Sequence, residues 1–220
     1  MNTVKKNLLQ IQEDIAPYTP NIIAITKYFD EEKIIEAYNA GLRDFGESKV
    51  IEALEKINKL PQEVKDNSKF HLIGHLQTNK VSKALGHFDY IHSVDSLKLA
   101  RLISEKALEL GIKQKVLLQV NNAEEEQKFG FSQKELFEVF GEMKKLRGIE
   151  IAGLMNIAPL GLEERKLREL FFGIKNIKEE LEKNFNCNLK EVSTGMSQDY
   201  KEAVVAGATM LRIGRKLFST

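Results

Sequence analysis

The sequence has a single cysteine and almost no excess of charge of either sign. Because Cys187 stands alone, an internal disulfide and a thiolate metal cluster are both excluded. Lysine and arginine total 33 against 32 acidic residues, which leaves a net charge of +1. No global electrostatic field therefore attracts nucleic acid or an anionic membrane. A small anionic ligand would have to be held by a local site.

Long apolar runs and glycine-rich phosphate motifs are also missing. No stretch approaches the roughly 18 apolar residues of a membrane span, and the first residues, MNTVKKNLLQIQEDIAPY, lack the apolar core of a signal peptide. We therefore expect a cytoplasmic protein that does not bind membranes. GxGxxG and GxxxxGK motifs are absent, which counts against a nucleotide-binding fold. With 220 residues, 42% of them hydrophobic, one domain over 1–220 is expected.

Short β-rich runs alternate with longer charged segments of helical period, after an opening helix at 4–15. The predicted strands are 22–27, 43–46, 69–74, 88–94, 115–121, 149–157, 189–194 and 209–214. Strict alternation predicts parallel crossovers, and eight strands favour a closed α/β barrel of the (β/α)8, or TIM, type. The opening helix would complete the outer ring of a chain that ends on its eighth strand. A doubly wound open sheet is the alternative.

Polar and small residues stand at the carboxyl ends of the predicted strands, where parallel barrels place their active sites. They are Lys27, Tyr28, Gly46, Glu47, Ser48, Gly74, His75, Gln77, His92, Ser93, Asp95, Asn121, Asn122, Met155, Asn156, Ser193, Thr194, Gly195, Met196, Ser197, Arg212, Gly214 and Arg215. We expect these residues to converge on one mouth of the barrel.

Lys27 is the first of these residues to need a chemical explanation, because it follows directly on the apolar run IIAIT. Lysines in partly desolvated mouths can act as nucleophilic amines that condense with an aldehyde or ketone. Taken alone, the residue is better explained as a lysine that extends to solvent from a strand end.

The second feature is the pair of segments STGMSQD and LRIGRK. Hydroxyls and free amides before a helix favour an anion, and Gly214 permits close backbone approach. The loops after strands seven and eight commonly form the phosphate site of such barrels. A simple helix cap and a turn would explain the same residues, but together with Lys27 they favour a carbonyl ligand that bears a phosphate.

No metal site is expected from the histidines. The segment HLIGH has the spacing of a zinc HExxH motif but lacks its glutamate and lies on a predicted strand. His87 and His92 have no visible partners in the sequence.

The chain resembles the pyridoxal phosphate homeostasis protein family along nearly its whole length. The resemblance rests on IIAITK, GLRDFGES, FHLIGHLQTNK, IHSVDS, VLLQVN, KFGF, GLMNIAP and STGMSQDYKEAVVAGATMLRIG, in this order. It implies a single barrel similar to the N-terminal domain of alanine racemase, which is fold type III of the pyridoxal phosphate proteins.

The same resemblance implies a cofactor and a set of residues that bind it. Lys27 would form a Schiff base with pyridoxal 5'-phosphate (PLP), and Arg212 would face the pyridine nitrogen, which leaves the ring a poor electron sink. The phosphate would be bound by Ser197, the backbone of Met196, Gly214 and the amide of Arg215. Ser48, Met155 and His75 are expected to contribute to the same site.

The sequence departs from the family pattern at three places. Family members commonly read GEN where Ser48 stands, so a contact near the ring is in doubt. They commonly carry a small or hydroxyl residue at the position of Arg215, which puts a side-chain phosphate contact in doubt. The chain also ends in LFST, where the family continues with FG and a short tail.

The function implied is a non-catalytic one, in which the protein holds PLP reversibly and buffers it or delivers it to apo-enzymes, as a monomer or weak homodimer. One alternative is a PLP-dependent racemase or decarboxylase, with His75 and Tyr28 as conceivable proton carriers. Such enzymes need a second domain, for which we expect no residues here. The other alternative is an aldolase that uses Lys27 on a sugar phosphate.

Overall fold

The computed structural model describes residues 2–123 and 129–219. The strands are β1 (Asn21–Ile25), β2 (Asp44–Glu47), β3 (Lys69–Leu72), β4 (Tyr90–Val94), β5 (Gln114–Gln119), β6 (Ile149–Met155), β7 (Glu191–Ser193) and β8 (Met210–Ile213). The helices are α1 (Thr3–Ile15), α2 (Glu31–Asn39), α3 (Val50–Lys59), α4 (Gln62–Asp66), α5 (Val81–Ala84), α6 (Leu97–Glu109), α7 (Gln133–Met143), α8 (Glu164–Phe185), α9 (Tyr200–Val205) and α10 (Arg215–Phe218).

The eight strands form one closed parallel barrel in sequence order. Each strand pairs with the next, and β8 pairs back with β1, with Arg212 opposite Ile23. The predicted (β/α)8 barrel is therefore confirmed, and the doubly wound alternative is wrong. None of the helices in the described ranges combines the length and apolar character needed to span a bilayer.

Capping residues mark the ends of several helices. Asp30 and Ser96 accept the amides of Lys33 and Leu99 in the first turns of α2 and α6. Asn186 follows α8 with a φ of 45°, the left-handed conformation that ends helices. The two N-terminal caps mark where the loops at the barrel mouth end, and Asn186 marks the end of α8 at the opposite end of the barrel.

Successive residues on the strands face alternately outward and inward, as the period of a strand requires. Outward residues such as Phe45, Phe70 and Leu72 pack under the helices in one large apolar cluster, which we call the outer core. The rings of Phe45 and Phe70 lie 6.0 Å apart on neighbouring strands. Burial of each large side chain contributes about 1.5 to 3 kcal/mol, so the outer core is the main source of stability.

Inward residues fill the barrel with a smaller apolar cluster and with polar side chains. We call this space the barrel interior. Its apolar members are Ile23, Ile25, Leu117, Ala152, Met155 and Met210, with Ile73 and Tyr90 packed against them.

The first and last helices lie side by side on the outside of the barrel. The Asn7 side-chain amide donates to the carbonyl oxygens of Leu217 and Ser219, at 3.0 and 2.9 Å. The expectation that the chain ends on its eighth strand is wrong, because α10 follows β8. The opening helix thus completes the outer ring by packing on this short last helix.

Candidate functional site

A cavity of about 400 Å³ opens at the carboxyl ends of β1 and β8. This volume lies within the usual range for sites of small ligands. Predicted site residues that line the cavity are Lys27, Met196, Ser197, Arg212, Gly214 and Arg215. The cavity lining does not include Ser48, Met155 or His75.

The backbone that carries Lys27 is fixed from three directions. β1 ends at Ile25, so Lys27 lies just beyond the strand rather than at its last position. The preceding residue, Thr26, donates its amide to Gly46 O at 3.1 Å and its hydroxyl to Glu47 Oε1 at 2.6 Å. Lys56 Nζ donates to Thr26 O at 2.8 Å. Lys27 therefore leaves a rigid backbone position, and its side chain lines the cavity.

A buried ion pair supports this position. Lys56 Nζ lies 2.7 Å from Glu47 Oε1, and the two side chains are only 11% and 3% exposed. Glu47 stands at a strand end and was noticed in the sequence. Lys56 was not, because its place on α3 shows no relation to β1 until the barrel closes.

The Lys27 amine lies above an aromatic ring at the cavity rim. Its Nζ is 5.0 Å from the centre of the Tyr28 ring, a cation–π contact. Tyr28 itself is 83% exposed, so its hydroxyl is not held in place over the amine.

The loop after β7 forms one wall of the cavity. Gly195 has a φ of 86°, and a Cβ there would lie 2.5 Å from the Cβ of Ala203, so the turn requires glycine. Ser197 Oγ accepts the Lys216 amide at 3.1 Å, which leaves its O–H to donate to a ligand. The Met196 amide donates to Asp199 Oδ1 at 2.5 Å. The amide expected to contact a phosphate therefore already has a partner.

Asp199 is buried behind this loop. Burial raises the pKa of its carboxyl group, while the Met196 amide and the charge of Arg212 oppose the rise. Since Asp199 organises the loop through Met196, it is a supporting residue that the sequence did not single out.

The end of the last strand lines the cavity beside this loop. Gly214 follows the end of β8, and a Cβ there would lie 3.4 Å from Ile25 Cβ and 3.6 Å from Ile25 O. Arg215 begins α10 with an exposed side chain. Both residues line the cavity.

Arg212 is buried and held at both terminal nitrogens. Its Nη1 donates to Ser193 Oγ and its Nη2 to Asn156 O, each at 2.8 Å. Burial lowers the pKa of Arg212 to about 10, although the charge of Asp199 opposes this. The guanidinium thus keeps its charge at neutral pH and has little freedom to rotate.

The three remaining predicted residues lie near the mouth but outside the cavity lining. His75 Nδ1 lies 3.2 Å from Asp95 Oδ2, and its ring stacks on Phe129 with centres 4.0 Å apart. Met155 belongs to the apolar cluster of the barrel interior. The Ser48 carbonyl oxygen lies so close to Gly74 that a Cβ on the glycine would be 2.2 Å away. Contact of these residues with a cofactor stays a prediction.

His92 corrects the sequence interpretation, which found no partner for it and placed it at the mouth. It is fully buried inside the barrel, with Nε2 2.9 Å from His71 Nδ1 and Nδ1 3.0 Å from Ser193 Oγ. His71 was not singled out at all. The described residues contain no group of three or more His, Cys, Asp or Glu side chains that could hold a metal ion.

Comparisons with known proteins show the family of this chain. The family model described as "Alanine racemase, N-terminal domain" matches residues 1–220. A protein of Synechocystis sp. named pyridoxal phosphate homeostasis protein is 42% identical over 94% of both chains. The chain belongs to the pyridoxal phosphate homeostasis protein family. The resemblance seen in the sequence motifs is thereby confirmed.

The chain is also similar to solved structures, at both high and low sequence identity. PipY of Synechococcus elongatus PCC7942, solved with PLP bound, is 37% identical with a TM-score of 0.89, over 98% of this chain and 100% of that one. An alanine racemase of Clostridium difficile has a TM-score of 0.82 at 14% identity, over 99% of this chain and 56% of that one. The second likeness shows the shared fold alone.

Proposed function

We propose that this chain binds PLP in the mouth cavity and serves the homeostasis of that cofactor. The observation that carries the proposal is the convergence of Lys27, Ser197, Arg212 and Gly214 on one cavity of about 400 Å³. Family membership supports it, because the relatives are named for this cofactor. We also propose that 1–220 acts as a single domain.

The residues of the cavity fit the chemical groups of PLP. The cofactor offers an aldehyde that condenses with an amine with loss of water, a phosphate and a pyridine ring. Lys27 supplies the amine. The Ser197 hydroxyl and the backbone at Gly214 and Arg215 would bind the phosphate. The fixed guanidinium of Arg212 is a donor only, so it suits an unprotonated ring nitrogen.

We propose further that the protein holds and delivers PLP rather than turning over amino acids. An unprotonated ring withdraws electrons weakly, which favours storage over carbanion chemistry. The positions of the two conceivable proton carriers, Tyr28 and His75, also support a role without amino-acid turnover. Tyr28 is largely exposed, and His75 is paired with Asp95 outside the cavity lining. Delivery to apo-enzymes, a cytoplasmic location and a monomeric or weakly dimeric state belong to the same proposal.

Borohydride reduction tests the binding site. The wild-type chain mixed with PLP should gain visible absorbance, and reduction should fix the cofactor on the peptide that contains Lys27. Lys27→Met should abolish this labelling, whereas Lys6→Met, an exposed lysine on α1, should not. A wild-type protein that gains no absorbance with PLP would overturn the proposal.

Amino-acid turnover tests the non-catalytic part separately. The PLP-loaded protein should leave single L-amino acids unchanged over many hours. Steady racemisation or decarboxylation would contradict a carrier. Borohydride trapping of a sugar phosphate on Lys27 by protein free of PLP would favour the aldolase alternative instead.

A further inference from the structure

A chain of buried polar groups crosses the barrel interior and ends at the cavity. Asp44 Oδ1 lies 2.8 Å from His71 Nε2, and His71 Nδ1 lies 2.9 Å from His92 Nε2. His92 Nδ1 lies 3.0 Å from Ser193 Oγ, which accepts from Arg212 Nη1 at 2.8 Å. All five residues are buried, the histidines and the serine completely. We call Asp44, His71, His92 and Ser193 the interior relay.

The two ends of the relay fix the direction of its hydrogen bonds. Arg212 can only donate, and an ionised carboxylate can only accept. Burial alone would raise the pKa of Asp44, but hydrogen bonds from His71 and Asn21 outweigh it and lower the pKa. His71 therefore donates from Nε2 to the Asp44 carboxylate, while Ser193 Oγ accepts from Arg212.

One arrangement of protons then satisfies every atom between the ends. With both rings neutral, Ser193 donates its O–H to His92 Nδ1, and His92 donates from Nε2 to His71 Nδ1. All bonds then run in one direction, from Arg212 to Asp44. A proton added at His71 Nδ1 would reverse both hydrogen bonds of His92 and leave the Ser193 hydroxyl hydrogen without its acceptor.

Charge balance favours the same arrangement. With both rings neutral, the relay with Arg212 carries one negative and one positive charge, so a proton on either ring would add a positive charge that no group of the relay balances. Burial, followed by the charges of His71 and Arg212, holds the pKa of His92 well below its usual range. The Tyr90 ring covers the pair, stacked on His71 at 5.1 Å and edge-on to His92 at 6.1 Å.

We propose that His71, His92 and Ser193 are positioning residues that lock the Arg212 guanidinium in one orientation toward the ligand ring. This inference rests on the proposed function, because the orientation matters only when a ring occupies the cavity. Through the aligned bonds, the carboxylate of Asp44 polarises Arg212 from the far side of the barrel interior. The relay thereby sets the protonation of the bound ring without touching it.

The ligand-free protein offers the first test. Nitrogen-15 NMR of the wild-type side chains at neutral pH should show both His71 and His92 protonated at Nε2 only. His92 should keep this state down to about pH 6, because burial lowers its pKa. A proton on Nδ1 of His92, or protonation of both nitrogens of its ring in this range, would overturn the relay.

Ser193→Ala offers the second test, because it removes only the oxygen that joins His92 to Arg212. We expect PLP to bind on the order of tenfold more weakly, since a hydrogen bond to a charged group is lost. The pH midpoint of the bound-cofactor spectrum should also shift. Ser193→Thr keeps the hydroxyl and should restore both values.

Ser93→Ala is the matched control, since Ser93 is a completely buried serine next to His92 whose hydroxyl has no hydrogen-bond partner. It should leave affinity and spectrum unchanged.

If the wild type takes up PLP and Ser193→Ala matches it in both readouts, the relay inference fails while the proposed function stands. If the wild type takes up no PLP, the proposed function fails, and NMR still decides the relay's protonation. Should Ser193→Ala not fold, the wild-type NMR result decides in its place.

Discussion

The outer core and the barrel interior both consist largely of buried side chains, yet their contents differ. The outer core is an apolar cluster between strands and helices. The barrel interior combines a small apolar cluster with buried carboxylate, imidazole, hydroxyl and guanidinium groups. Asp44 and Phe45 are neighbours on β2, but Asp44 lies in the barrel interior and Phe45 in the outer core. A single strand thus contributes an apolar side chain to the outer core and a carboxylate to the barrel interior.

The outer core and the barrel interior contribute differently to the free energy of folding. Apolar burial in the outer core stabilises the fold directly. Polar groups in the barrel interior must first lose their hydration, a cost that their hydrogen bonds only offset. A polar interior is therefore better explained by its effect on the cavity than by stability, and variants on the two sides should separate the two effects.

Phe45→Ala should have the largest effect, and on stability alone. Removal of a fully buried ring from the outer core should lower the free energy of unfolding by about 3 to 5 kcal/mol. PLP affinity of the folded protein should stay at the wild-type value. Urea denaturation and PLP titration measure the two quantities, and a loss of affinity without loss of stability would contradict the division.

Glu47→Gln should affect both stability and the cavity. It leaves the Lys56 ammonium without its carboxylate, and breaking a buried pair costs about 3 kcal/mol or more. The Thr26 backbone would also loosen, so PLP uptake on Lys27 should slow. Glu52→Gln is the control, because its pair with Lys49 is exposed. Equal unfolding curves for both variants would show that the buried pair has no special role.

His92→Asn should change the pH dependence of stability. Folding lowers the pKa of His92. Below about pH 6.5, this histidine therefore binds a proton in the unfolded chain but stays neutral in the folded protein. The free energy of unfolding should therefore decrease as the pH is lowered below about 6.5, by up to about 1.4 kcal/mol per pH unit from this group. The variant should lack this slope, and His87→Asn should retain it. Urea curves at about pH 7, 6 and 5 make the comparison, and an unchanged slope in His92→Asn would place the proton elsewhere.

Ser197→Ala should have the smallest effect, and on the ligand alone. Loss of one hydroxyl near the phosphate should weaken PLP retention on the order of tenfold, while covalent attachment to Lys27 persists. Thermal unfolding without PLP should match the wild type. Ser82→Ala, at an exposed serine, controls for the substitution itself. Retention equal to wild type would remove Ser197 from the phosphate site.

The sequence predicted the barrel and several of the residues that line the cavity, although Ser48, Met155 and His75 lie outside the lining. It could do so because apolar runs mark strands, and the carboxyl ends of parallel strands share one mouth. The relay was missed for a different reason. His71 and His92 meet because β3 and β4 pair with His71 opposite Tyr90, a register that no local pattern specifies. Lys56 was missed because its partner lies across a helix–strand contact.

The pairing of β1 with β8 has a consequence for how the protein is made. Lys27 follows the first strand, while Arg212 and Gly214 come with the last, and the two strands meet only when the barrel closes. During synthesis, the Lys27 amine leaves the ribosome long before the groups proposed to bind a phosphate. Contacts this distant in sequence form late in folding. The appearance of a coloured PLP complex would therefore time the closure of the barrel in a growing chain.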